Sequence, residues 1–409
     1  MNKKLVALAV AGAFALPLAA QAQTANVTLY GRLNVDLEFV KGKTCAAATT
    51  TVTGAPGTAA GCNVGLPTES TTDPTVNRLS SNSSRLGVRG TESLGGGLNA
   101  IFQIESSING DTNGGNLGGR ETFVGLQGSW GKFTVGRFLM PQDDLHPIFG
   151  NVPTLTTSIL STANLWAQGP LNKGQGGFDA RTGNSLRYDS PNFSGFTGAL
   201  QYSTRDSSGN ADANASASGD NGDHPSELRH AWVLGGNLIY ANGPWNGGIA
   251  FEKNHEVRGS DLSDTDWTIT GAYDFGTIMQ GFGLRVALVY EGTKYETPTG
   301  DLKRNFWGVS GTIPVGGGKV YLFYGGAQKG TGSAADGTAV GGLVKGPNSK
   351  SDMYEVTYSY SLSPRTLLYT GYVKINNDSN ARYQFNINPY AIAPGGKPGG
   401  LVFGLVHFF

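Results

Sequence analysis

From Val27 to Phe39 the chain alternates apolar and polar residues without a break. Val27, Leu29, Gly31, Leu33, Val35, Leu37 and Phe39 fall on one side; Thr28, Tyr30, Arg32, Asn34, Asp36 and Glu38 fall on the other. A period of two is that of a β-strand, whose successive side chains point to opposite faces. Half-buried strands of ordinary domains hold such a pattern for about five or six residues. Thirteen residues suit a tilted strand that crosses a bilayer, with lipid on its apolar side and water on its polar side.

Similar segments follow at 82–92, 97–107, 120–129, 131–138, 184–190, 195–204, 229–241, 245–254, 265–276, 281–291, 304–314, 318–327, 352–362, 365–376 and 400–409, sixteen with the first. Their connections alternate in length. Short, turn-rich links at 93–96, 242–244, 314–317 and 361–364 are separated by long polar stretches such as 41–77, 205–228, 328–350 and 376–399. Short turns at one rim and long loops at the other is the arrangement of a bacterial outer-membrane barrel, which accommodates the long loops outside the membrane. In a compact soluble domain, loops of this length would count against the strand assignments. An even number of strands puts both termini on the short-turn side, expected to face the periplasm. No domain boundary appears, and the Gly/Ser/Ala/Asp-rich stretch 207–222 reads as an external loop.

The two ends agree with export to such a membrane. Lys3 and Lys4, the apolar run Leu5–Ala20 and the Ala20-Gln21-Ala22 site have the form of a secretory signal peptide over residues 1–22, leaving 23–409 as one barrel domain. The apolar run is interrupted by Gly12 and Pro17 and is too short for a spanning helix. Without Lys3 and Lys4 the chain has 28 basic and 30 acidic residues, a net charge of −2, which argues against nucleic acid as a partner. At the other end, Leu401, Phe403, Leu405, His407 and Phe409 share one face, as a closing strand would present them. Phe409 resembles the terminal aromatic read by the barrel assembly machinery. His407 is the polar exception on that lipid face and is expected at the rim.

Composition supports many short twisted strands and interfacial aromatics, with 63 Gly, 16 Tyr and 19 Phe but only 15% charged residues. Trp166, Trp232, Trp245, Trp267 and Trp307 read as girdle residues rather than sugar-stacking platforms. Cys45 and Cys62 lie in one Gly/Ala/Thr/Pro-rich segment; in an oxidising compartment a local disulfide is expected there. No His flanks either cysteine at ligand spacing, and the five histidines show none among themselves, so no metal site is expected.

A barrel of this size is too wide for its wall side chains to fill and should hold water. Its function then depends on the charges that face inward. Alternation puts Arg32, Arg85, Arg89 and Arg187 on the lumenal side. It puts Arg137 with Phe133 and Val135 on the lipid side unless Gly136 permits a bulge, so periodicity leaves that residue open. Several arginines on neighbouring strands would form a positive wall.

Tyr30-Gly-Arg32, Ser84-Arg-Leu-Gly-Val-Arg-Gly90, Gly96–Glu105, Glu121-Thr-Phe-Val-Gly-Leu126, Gly136-Arg137, Asn184–Phe193 and the terminal strand resemble the general diffusion porins of Gram-negative bacteria, of the β-proteobacterial and neisserial type. The resemblance covers the whole mature chain and is densest over 27–203. It implies an all-β fold, a 16-stranded antiparallel transmembrane β-barrel with an infolded third loop, assembled as a homotrimer among outer-membrane lipids. It implies a constriction wall of Arg85, Arg137 and Arg187, with Arg32 and Arg89 beside it, facing acids on that loop, about 138–183. Within the loop, Leu145-His-Pro-Ile-Phe-Gly150 resembles the Pro-x-Phe-Gly constriction turn. Ile148 stands where some members carry an acid, with Phe149 and Gly150 completing the motif. The acidic side must then come from Asp143, Asp144 or Asp179, and a thinned acid side points to mild anion preference.

No nucleophile elbow or phosphate-binding loop is present, and the Gly-rich stretches lie in turns or strands. The expected protein is a non-enzymatic outer-membrane channel, without a cofactor, for passive diffusion of small hydrophilic or anionic solutes and ions. The rival readings are an outer-membrane barrel enzyme, a channel specific for an organic anion, and a secreted β-rich binding protein.

Overall fold

The computed structural model describes residues 26–45, 71–112, 114–150, 158–167, 177–204, 231–259, 261–277, 281, 283–390 and 392–409. The expected signal segment, Cys62 and the Cys45 side chain lie outside the described residues, as do His224 and His230.

Sixteen strands form one closed antiparallel barrel. They are β1 (Asn26–Lys41), β2 (Thr75–Ser81 and Arg85–Gly95), β3 (Leu98–Ile108), β4 (Thr122–Gly128), β5 (Gly131–Leu139), β6 (Arg181–Asp189), β7 (Phe196–Ser203) and β8 (Trp232–Asn242). Then follow β9 (Trp245–His255), β10 (Ser263–Asp274), β11 (Arg285–Thr297), β12 (Gly300–Val315), β13 (Gly318–Ala327), β14 (Ser351–Ser363), β15 (Thr366–Asn377) and β16 (Gly399–Phe408). Each strand pairs with the next in sequence, and β16 returns to β1 in register from Arg32 opposite Phe408 to Lys41 opposite Gly399. Closure leaves no strand edge with unpaired backbone groups, as a sheet in hydrocarbon requires.

The chain's last residue takes part in that closure. Phe409 exchanges backbone hydrogen bonds with Gly31, at 2.9 and 3.1 Å. Its ring lies where a side chain on residue 31 would be, so the glycine is the seat of the terminal aromatic. His407, on the outer face as expected, has its Nδ1 3.0 Å from the Thr366 hydroxyl, at the rim.

Alternation decides the faces almost everywhere. On β1, Arg32, Asn34, Asp36 and Glu38 are buried inside, while Leu29, Leu33 and Leu37 are exposed on the outside. The outer surface continues with Val124, Val135, Leu200, Ile249, Ile269, Leu288, Leu322 and Phe403, an apolar band, with Trp245 and Trp267 among its aromatics.

Four differences from the sequence reading have identifiable causes. Strand β2 starts seven residues before position 82, because Thr75–Ser81 pairs with the far half of β1; Asn82–Ser84 interrupt it. Strands β11 and β12 run on through polar residues to a two-residue turn at 298–299, so that loop is as short as the turns on the opposite rim. Trp166 sits fully buried inside the barrel rather than at a girdle. The loop 378–398 does not project outward: Tyr383, Phe385, Ile387, Tyr390 and Ile392 give it an apolar face that folds into the lumen.

Candidate functional site

The loop between β5 and β6 enters the barrel and runs along the inner wall. A 3-10 turn at Asp143–Leu145 leads into the short helix α1 (His146–Phe149), with Pro147 at its start. One face of this segment is apolar, and it is this face that meets the wall. Leu145, Ile148 and Phe149 are buried, and the Phe149 ring packs edge-on against Trp166 and Phe323, at centroid distances of 5.6 and 5.7 Å. Gly308 leaves room for Phe149, since a Cβ there would come within 3.1 Å of its ring.

Polar contacts fix the same segment. Arg285 donates from Nη2 to the Ile148 carbonyl at 2.5 Å, and the Ser310 hydroxyl donates to the Phe149 carbonyl at 2.7 Å. Gln142 donates from Nε2 to Asp266 Oδ1 at 2.8 Å. Further along, the Ala167 amide donates to Glu291 Oε1 at 2.6 Å. The buried Arg304 bonds the Leu165 carbonyl and Glu291, both at 2.5 Å. The loop 378–398 joins this layer where the Asn386 amide donates to Asn164 Oδ1 at 2.7 Å and Tyr383 lies under Arg304. The inner face of β9 to β16 is thus covered by two loops and largely buried.

The inner face of β1 to β6 carries the arginines. Arg32 and Arg85 are direct cross-strand neighbours, an arrangement of like charges that is unfavourable unless other groups compensate it. Arg32 donates from Nη2 to the carbonyls of Asn82 and Ser83, at 3.0 and 3.1 Å, in the interruption of β2. Arg85 reaches Glu105 at 3.6 Å and shares it with Arg120, whose Nε is 2.6 Å from the other carboxylate oxygen. The Tyr30 hydroxyl also donates to Glu105, at 3.1 Å, and Arg89 lies over the Tyr30 ring at 5.0 Å. Glu121 is a second acid within electrostatic reach of Arg85. Among the described residues no carboxylate is within ion-pair distance of Arg32 or Arg89. The patch therefore holds four arginines against two acids.

Arg187 stands apart from that patch. It is held by Asp144 at 2.6 Å and by Asp189 at 2.8 Å, and Asn237 donates to the same Asp144 oxygen. Of the three loop acids, Asp144 meets the arginine wall directly. Its contact pins the loop where it leaves β5 to the wall. Asp179 instead lies 3.1 Å from His146, and Asp143 is beside both. Burial pushes the Asp143 carboxyl up to about 7, opposed by His146 and reinforced by the Asp179 charge.

A bulge lies beside Gly136, but its extra residue is on the facing strand, and β5 keeps unbroken register with β4 through Thr122 opposite Arg137. Gly136 has φ +150°, and a Cβ would collide with the Thr122 carbonyl. Opposite it, two residues of β6 (Gly183 and Asn184) face one of β5 between the pairs Thr182–Phe138 and Ser185–Gly136. Arg137, the residue so bypassed, donates from Nε to the Gly119 carbonyl at 3.1 Å. The cluster around Glu105 is completed by Arg120, from the link before β4. Ile148 and Phe149 hold the loop to the wall rather than lining the aqueous passage, and Gly150 closes the helix by donating its amide to the His146 carbonyl at 2.9 Å.

Sequence reasoning does not single out Arg120, Glu105 and Tyr30 as site residues. Alternation on β1 and β3 marks Tyr30 and Glu105 as lumenal, but nothing in the pattern of the 109–121 link marks Arg120.

Comparison with known proteins supplies what geometry alone does not. Residues 7–380 match the family model described as Gram-negative porin. Outer membrane porin protein 32 of Delftia acidovorans is 28% identical over 388 residues, 92% of this chain and 90% of that one. The major outer membrane protein P.IB of Neisseria meningitidis serogroup B is 32% identical over 265 residues, covering 63% of this chain and 61% of that protein. Among solved structures, the anion-selective porin from Comamonas acidovorans aligns over 94% of this chain and 100% of its own, with a TM-score of 0.65 and 24% identity.

Proposed function

Because this chain belongs to the Gram-negative porin family, and is an outer-membrane channel for passive diffusion, we propose that its pore favours small anions over cations. The observation that carries the proposal is the local excess of guanidinium groups around Glu105, where Arg32, Arg85, Arg89 and Arg120 face Glu105 and Glu121, with Arg85 and Arg89 keeping solvent exposure while Arg32 and Arg120 are buried. A fixed excess of one sign in a narrow passage concentrates counter-ions of the other sign. Among the described residues the opposite wall adds no free acid to offset it: Glu291, Asp266 and Glu355 are buried under the loops. The site assignment rests on Arg32, Arg85, Arg89 and Arg187 for the wall. Asp144 is the loop acid that orders Arg187, and Ile148, Phe149 and Gly150 are the anchor that keeps the loop inside. Arg137 is given the supporting role of bonding the link that carries Arg120.

The assembled protein in this reading is a homotrimer. Both chain ends face the periplasm, and residues 1–22 are removed on export. These features rest on the family and on the even strand count, which brings both ends of the barrel to one rim.

Planar-bilayer recordings across a KCl gradient test the proposal. The reversal potential takes the sign set by chloride, and the preference weakens as ionic strength rises and screens the wall. A reversal potential of the cation-selective sign would overturn it.

A further inference from the structure

The two feet of the infolded loop meet at a group of side chains that the conduction path does not use. Asp143 follows β5 closely, His146 opens α1, and Asp179 lies just before β6. One potential ligand atom from each lies within 4.8 Å of the others. His146 and Asp179 are each 2% exposed, and the imidazole is backed by Trp166, with ring centroids 4.2 Å apart.

Their polar atoms are only partly satisfied by one another. His146 Nε2 is 3.1 Å from Asp179 Oδ2. Among the described residues, neither imidazole nitrogen nor Asp179 Oδ1 has a partner in full hydrogen-bond geometry. Buried polar groups left in this condition are costly, and a cluster of them implies a missing partner. An N···O contact of this length also has the spacing of two ligands on one ion. Donors about 2.0–2.2 Å from a first-row divalent metal are separated by about 3 Å around its coordination shell. One imidazole with two carboxylates suits zinc and its first-row neighbours; calcium and magnesium prefer oxygen alone. Arg181, a cation in reach of Asp143, neutralises only part of the two carboxylates.

We propose that Asp143, His146 and Asp179 bind a divalent first-row ion that staples the two feet of the infolded loop to each other. The ion fixes the loop's position in the lumen and takes no part in selecting solutes.

Calorimetric titration of Zn2+ into the purified, EDTA-stripped channel tests this directly. The expected result is one Zn2+ per chain, with His146→Asn and Asp179→Asn each weakening binding at least tenfold while conductance and ion preference persist. Chelation of the wild type should also increase brief closures in single-channel records. Should one variant fail to assemble, the other carries the same comparison. Absence of Zn2+ uptake by wild type at millimolar concentration, or uptake unchanged in an assembled variant, would overturn the proposal; the porin reading would stand in either case.

Discussion

The inner faces of β1–β6 and of β9–β16 obey the same two-residue alternation, yet their charged groups live in different surroundings. On the first, Arg85 keeps 29% of its side chain exposed, and two arginines have no acid partner among the described residues. On the second, Arg304 and Glu291 form an ion pair with 0% exposure on both side chains, beneath the loop. Alternation tells which residues point inward. What lies over them decides whether they meet water and act on ions or serve as anchors for a loop. Each change described below acts on one wall and should leave the other nearly untouched.

Glu291→Ala should have the largest effect. It strands the buried Arg304 and removes the acceptor of the Ala167 amide. Breaking a buried pair from one side costs about 3–5 kcal/mol, whereas replacing both members with apolar residues of similar size is often close to neutral. Thermal unfolding in detergent should show the single variant well below Glu291→Leu/Arg304→Met; equal losses would mean that the pair is not dry.

Phe149→Ala removes the ring that fits beside Gly308 and Phe323 and should cost about 3–5 kcal/mol of the loop's attachment. Single-channel conductance should rise and become noisier as the loop leaves the wall. An unchanged conductance would mean that the loop's polar contacts suffice to hold it.

Asn164→Ala tests the junction of the two inner loops. It leaves the Asn386 amide without its acceptor, a loss of about 1–3 kcal/mol, and should loosen the loop 378–398 without disturbing α1. Faster proteolysis within 378–398 in reconstituted protein, with α1 still protected, is the expected pattern.

Arg89→Ala should leave stability nearly unchanged and alter only ion preference. One charge about 8 Å from a passing ion in water contributes about 0.5 kcal/mol, roughly a twofold change for each sign of ion. The reversal potential in dilute salt should move toward cations by that modest amount.

The barrel is legible in the chain because a lipid-facing wall forces alternation over long segments, of which Val27–Phe39 is the clearest. Unbroken alternation is enough to point Arg32, Arg85, Arg89 and Arg187 inward. Arg137 is undecidable from the pattern for a physical reason: β5 itself stays in register with β4, and the extra residue of the bulge beside Arg137 lies on the other strand, at Gly183 and Asn184. The infolded loops are harder still. Their apolar residues contact a wall assembled from distant strands, so Ile148 and Phe149 read as a constriction motif when they are anchors, and Tyr383 and Phe385 read as part of an external loop. Nothing local in a polar, glycine-rich stretch says which way it will fold.

In this reading selectivity belongs to the wall of β1 to β6. Reversal potentials in the same salt gradient for wild type, Arg85→Ala/Arg89→Ala and Glu355→Gln test it most directly, since Glu355 is a buried acid on β14, within the covered wall. The arginine variant should shift clearly toward cations, while Glu355→Gln should match wild type. Equal and opposite shifts from the two variants would contradict the account, because both walls would then face the ions.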